Sequence, residues 1–73
     1  MDKVEFLRNL EDLIEAAPGS LTAQSVLADT PGWDSMAIMG FLAFADEELG
    51  LAPAPRAIKE CQIVDDLLSL VGI

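Results

Sequence analysis

Apolar residues recur at spacings of three and four along the first segment of the chain: Val4, Leu7, Leu10, Ile14 and Ala17, with Phe6 and Leu13 widening the stripe. That is the period of an amphipathic helix, and it predicts one over residues 2–17. Glu5, Glu11, Asp12 and Glu15 fall off the stripe and are assigned to solvent. Asp2 suits the N-cap, and Pro18-Gly19 stops the helix. From Pro18 to Trp33 the period is lost. Pro18, Gly19, Ser20, Thr22, Pro31 and Gly32 are turn formers, while Leu21, Val26 and Leu27 are expected to anchor this stretch to a core. A loop of this length is uncommon in a small domain and is often functional.

The helical period returns over residues 35–49, with Asp34 as N-cap and Gly50 as stop. Ile38, Phe41, Leu42, Ala45 and Leu49 form its inward stripe. Met36, Gly40, Ala43 and Glu47 lie opposite, with Met39 and Phe44 on the flanks. The segment is more apolar all round than a lone surface helix, so part of it is expected to be covered at least transiently. Leu51-Ala52-Pro53-Ala54-Pro55 reads as a linker. A short helical turn is expected at residues 56–60 with Ile58 inward. A last helix over residues 64–71 turns Val64, Leu67, Leu68 and Val71 inward and sets Asp65 and Asp66 at its positive end. No two-residue alternation and no internal repeat is present. The pattern predicts one all-α domain over residues 1–73: three main helices, a short fourth, and a long loop (18–34) between the first and second.

Composition narrows the function. Of the 73 residues, 52% are hydrophobic, which supports a folded core rather than disorder. The formal charge of -9 argues against nonspecific binding to nucleic acid or insertion at an anionic membrane, and favours basic protein partners met by electrostatic steering. There is no His and no Tyr, which removes the usual general base and the commonest metal ligand. Paired carboxylates alone do not make an acid–base site, and no EF-hand spacing is present, so neither catalysis nor a metal site is expected. Cys61 is the single cysteine; it cannot form an internal disulfide and is assigned to burial as a small hydrophobe. The start of the chain lacks signal-peptide character, and no apolar run is long enough to span a bilayer. A monomeric cytoplasmic protein is the resulting expectation.

The sharpest local feature is Gly32-Trp33-Asp34-Ser35-Met36. It places a hydroxyl where the long loop enters the second helix. Unpaired N–H groups and the helix field favour an anion at that end, so a phosphodiester on Ser35 would be well placed. With Asp34 as cap, the serine hydroxyl stays available. Trp33 is expected to pin the loop against a helix rather than to bind a ligand. Met36, opposite the buried stripe, is expected to contact partners; Met39 suits either docking or ordinary packing. Asp46, Glu47 and Glu48 suit either a partner-binding edge or a solvated face.

These residues together resemble the acyl carrier proteins, including the peptidyl and aryl carriers that bear 4'-phosphopantetheine. The likeness runs over nearly the whole length: an amphipathic first helix, a loop with a buried leucine at Leu27, and Asp34-Ser35-Met36 where the family has Asp-Ser-Leu. It continues through the acidic end Asp46-Glu47-Glu48-Leu49-Gly50-Leu51 and the closing Ile63-Val64-Asp65-Asp66-Leu67. The resemblance implies an acyl-carrier-like bundle without enzymatic activity of its own. It implies Ser35 as the attachment site of 4'-phosphopantetheine, donated from coenzyme A by a phosphopantetheinyl transferase, with Asp34 holding the helix start. Acyl or aminoacyl groups would ride on the arm's thiol as thioesters. The implied partners are a loading ligase for acyl or aminoacyl groups, and acyltransferases or condensing enzymes with basic and apolar docking patches. These would act in trans on a stand-alone carrier and meet Met36, Met39, Asp46, Glu47 and Glu48. Fatty-acid-synthesis carriers usually have acidic residues early in the second helix, where this chain has Ala37 and Gly40. That departure implies a dedicated partner and a specialised pathway. Ile63 stands where the family has Thr, so the last helix must be capped from elsewhere. The alternative reading is an acidic helical interaction module without a prosthetic group.

Overall fold

Burial of Phe6 sets how the chain packs. In the computed structural model, which describes all of residues 1–73, Phe6 is fully buried. Its ring meets Phe41 edge-on at 6.0 Å and Phe44 at 5.9 Å. Helix α1 (Lys3–Leu13) therefore buries Phe6, Leu10 and Ile14 and leaves Val4 exposed, with Leu7 half-buried. The expected stripe through Val4 and Leu7 is corrected by rotation toward the aromatic side chain, which removes more apolar area from water. Asp2 caps α1 as expected, its carboxylate accepting from the Glu5 N–H at 2.8 Å.

The end of α1 differs from the periodic reading. The helix stops at Leu13 instead of reaching Ala17. Glu15 adopts a left-handed conformation (φ 56°), and the Ala16 N–H closes back onto the Glu11 carbonyl at 2.8 Å. Glu11 is also not a solvent-facing residue: it is 4% exposed. Its carboxylate accepts the Leu21 N–H at 3.0 Å. The loop crossing α1 has no ladder partner for that N–H, and a buried donor must be satisfied. Ala17 is exposed.

The loop is folded onto the molecule rather than splayed. Leu21 and Leu27 are buried as anchors, and Leu27–Asp29 form one turn of 3₁₀ helix. Val26, the third expected anchor, is 45% exposed. It is held by its backbone instead, in an isolated antiparallel bridge to Ile63. Around it, Leu27 N–H donates to the Gln62 carbonyl, Val64 N–H to Ser25 and Asp65 N–H to Ala23, at 2.9, 3.0 and 2.8 Å. The radius of gyration is 10.8 Å, close to the ~11 Å of a folded domain of this length.

Helix α2 (Ser35–Phe44) continues into a wider π-helical turn (Ala45–Leu49), so the segment spans the expected residues. Gly50 (φ 66°) ends it, donating to Asp46, while Leu51 donates to Ala45. Ala37, Phe41 and Ala45 face fully inward; Ile38, Leu42 and Leu49 are half-buried. Gly40, expected on the outer face, lies under Leu13, and a Cβ built there would sit 2.5 Å from a Leu13 methyl. The close approach of α1 turns that side of α2 into an interface.

Helix α3 (Pro55–Glu60) begins on a proline, which suits the first helical position, and buries Ile58. Helix α4 (Val64–Leu70) buries Val64, Leu67 and Leu68. The missing threonine cap before α4 is replaced from within the helix. Asp66 reaches back to accept the N–H groups of Gln62 and Ile63 at 2.9 and 3.1 Å. Four helices around one core, with no strand, make the fold all-α. No helix is long and apolar enough to cross a membrane.

Candidate functional site

Ser35 is the first residue of α2 and is exposed. Two neighbours put it there. Gly32 turns the loop with φ 89° and packs so tightly on the end of α1 that a Cβ would lie 2.7 Å from the Ile14 carbonyl oxygen. Trp33 is half-buried and stacks edge-on against Phe41 with ring centres 6.3 Å apart, which pins the loop as expected. Asp34 then adopts an extended conformation and caps α2, its carboxylate accepting the Ala37 N–H at 2.9 Å. The cap is supplied by Asp34 rather than by the serine, and no hydrogen bond of the chain engages the exposed Ser35 side chain. The helix behind it contributes partial positive charge at this end.

A hollow of about 310 Å³ opens between the end of α1 and the start of α2, lined by Glu15, Gly32 and the two chain neighbours of the serine, Asp34 and Met36, but not by Ser35 itself. Neither Lys nor Arg lines it. Met36 is 80% exposed and Met39 is 69% exposed. Together with Ala43 and Glu47, also exposed, they form one outward stripe along α2 and the π turn. Asp46, Glu47 and Glu48 are exposed at the far end of that stripe, roughly 16–20 Å along the helix from Ser35 at about 1.5 Å per residue. The expected site residues thus fall into a serine end and an acidic end, joined by two bare methionines. The three acids do not converge with other ligands into a cluster that would hold a metal ion.

Cys61 is half-buried, and its thiol donates to the Ala57 carbonyl at 3.3 Å. Burial first, then the charges of Asp66 and Glu60, push its pKa up. It is a protonated packing residue at neutral pH, not a nucleophile.

The helical period did not reveal Glu15 as a wall of the hollow that Asp34 and Met36 also line. It expected α1 to run straight through this position. Only the left-handed turn at Glu15 brings it to the mouth of the hollow. The nearby Pro18-Gly19 signals a helix end, but not one this early.

Searches against protein-family models, curated proteins and solved structures found no match to this chain.

Proposed function

We propose that the protein is a non-catalytic carrier whose Ser35 bears 4'-phosphopantetheine and presents acyl or aminoacyl thioesters to partner enzymes. The observation that carries this reading is the position of Ser35: exposed, at the start of a ten-residue helix whose cap is supplied by Asp34. A buried hydroxyl, or one consumed as the cap, would be closed to a modifying enzyme. The residues present fit the group. The phosphodiester would lie at the positive end of α2, which is the favourable field available to it, since the adjacent hollow carries the carboxylates of Glu15 and Asp34 and no lysine or arginine. The arm, when attached, supplies a thiol at the end of a flexible chain. The protein supplies the anchor and the docking surface. Tethering raises the effective concentration of cargo at each docked enzyme.

Modification forms a phosphorus–oxygen bond from Ser35 Oγ to the phosphoryl group next to pantetheine. The pyrophosphate bond of coenzyme A breaks, the adenosine bisphosphate leaves, and the serine proton passes to the transferase or solvent. Met36 and Met39 form the apolar part of the docking surface, and Asp46, Glu47 and Glu48 meet basic groups. The neutral first turns of α2 favour a dedicated partner in a specialised pathway.

The test is mass. Coexpression with a broad-specificity phosphopantetheinyl transferase is expected to add one phosphopantetheine unit, and Ser35→Ala is expected to abolish the gain. Exposure of Met36 and Met39 suits a second reading equally, an acidic interaction module that carries nothing. An unchanged mass beside a transferase proven active on a control carrier selects that module.

A further inference from the structure

The helical period sets Val4 and Arg8 across α1 from Phe6, on a face that takes no part in the aromatic cluster. A groove of about 520 Å³ runs along that face, between α1 and the start of the long loop. Its apolar walls are Val4, 59% exposed, half-buried Leu7, and Leu21 of the loop. Its charged groups are the carboxylates of Glu11 and Asp12 and the guanidinium of Arg8. The Pro18-Gly19 turn lines its loop side.

Glu11 is the group that makes this groove more than a surface dip. It is 4% exposed, and its one hydrogen bond runs from the Leu21 N–H to Oε2 at 3.0 Å. No buried side-chain oxygen or nitrogen of the chain lacks a hydrogen-bond partner. Oε1 of Glu11 has no such partner, so it is open to solvent, and this groove is the only hollow that Glu11 lines. The loop backbone thus holds the carboxylate in place from one side while the other oxygen offers a free acceptor to the groove.

We propose that this groove binds an arginine side chain of a partner protein, with the guanidinium on Glu11 and with the aliphatic stem and a neighbouring aliphatic residue over Val4, Leu7 and Leu21. The proposal goes beyond the carrier reading and does not depend on Ser35. A mostly buried carboxylate oxygen gains most from a charged donor that is itself weakly hydrated, which a guanidinium is. The long stem of arginine covers apolar surface while its head stays polar. Exposed Asp12 adds a second negative charge beside Glu11, and exposed Arg8 is free to donate to a backbone carbonyl of the same partner segment. A purely apolar occupant would bury the Glu11 charge without a partner. An anionic one would meet two carboxylates for one guanidinium. A second copy would bring its own charge of -9, whereas a basic partner is steered in by it.

The test titrates the isotope-labelled full-length protein with acetyl-Leu-Ala-Ala-Arg-amide and with its neutral twin, acetyl-Leu-Ala-Ala-Gln-amide, and reads backbone amide shifts. The arginine peptide is expected to shift Val4, Leu7, Glu11, Gly19 and Leu21 together and saturably, and the glutamine twin to bind about tenfold more weakly or less well still. Glu11→Gln keeps an acceptor for the Leu21 N–H and is expected to weaken the arginine peptide by about tenfold. Val4→Lys, at an exposed position, is expected to weaken it too while leaving the unfolding midpoint unchanged, so it decides the matter if Glu11→Gln does not fold. No saturable shift, an equal response to both peptides, wild-type affinity in the folded variants, or strongest shifts at residues 46–48 overturns the site. Concentration-dependent shifts of the same amides in the protein alone would place a second copy in the groove and overturn the partner. Ser35→Ala is expected to titrate as wild type, so failure here leaves the carrier reading standing, and an unmodified serine leaves the groove standing.

Discussion

Two carboxylates that look alike in the sequence do opposite things in the fold. Glu11 is drawn inward to satisfy a single loop N–H, that of Leu21, and is the one buried charged residue of the core. Removing it orphans a buried donor, which costs about 1–3 kcal/mol. Glu11→Ala is therefore expected to lower stability by that amount in urea unfolding, and Glu11→Gln, which keeps an acceptor, by less. Equal losses would mean that the side-chain bond is not what matters. Asp66 stays at the surface and holds the two N–H groups of Gln62 and Ile63, which pull its pKa below the ordinary 3.8, Gln62 contributing most. A carboxyl with a depressed folded pKa stabilises fully above its unfolded value, and the contribution is lost as pH falls through the folded value. The gap in urea midpoint between wild type and Asp66→Asn is expected to be constant from neutral pH to about pH 5 and to shrink below pH 3.8. A gap that persists undiminished at strongly acid pH would show that charge is not its source.

At the scale of elements, two glycines set how closely α1 meets its neighbours. At Gly40, a methyl would strike only the mobile end of Leu13, and alanine improves helix propensity by up to about 1 kcal/mol. At Gly32, a methyl would strike the backbone oxygen of Ile14, and φ 89° is itself costly for any other residue. Gly40→Ala is expected to change stability by no more than about 1 kcal/mol, whereas Gly32→Ala is expected to cost about 2 kcal/mol or more. Chemical unfolding of both variants checks the order, and the reverse order would contradict the packing described. Gly32 also lies next to the serine site, so its loss is expected to disturb the entry of the loop into α2. Helix starts were well marked in the sequence because capping is local: Asp2 and Asp34 each act within three residues. The end of α1 was not, because it is decided by the loop returning over it.

Across the whole molecule, a charge of -9 is spread over a body only 26 × 23 × 18 Å. At ~0.01 M salt the screening length of ~30 Å exceeds every one of these dimensions. At ~0.15 M it falls to ~8 Å and most of the self-repulsion is screened. The thermal midpoint is therefore expected to rise with sodium chloride over this range, and scans at several concentrations check it. A midpoint that falls would mean that favourable ion pairs outweigh repulsion. The same charge would make association with a basic partner faster at low salt.

The order of the helices, the N-caps of α1 and α2, the anchoring of the loop by Leu21 and Leu27, and the hydroxyl at the head of α2 were legible in the chain. Each depends on spacing and chemistry within a few residues, where the backbone's own hydrogen bonds decide the outcome. Which face of α1 turns inward, the burial of Glu11, the left-handed turn at Glu15 and the exposure of Val26 were decided only when distant segments met. Phe6 found Phe41 and Phe44, the loop brought an unpaired N–H to α1, and Val26 was held by the backbone of Ile63 instead of by its side chain. Apolar periodicity reports that a face will be buried; the largest side chains and the unpaired backbone groups then choose which face, and neither choice is made until the chain has folded back on itself.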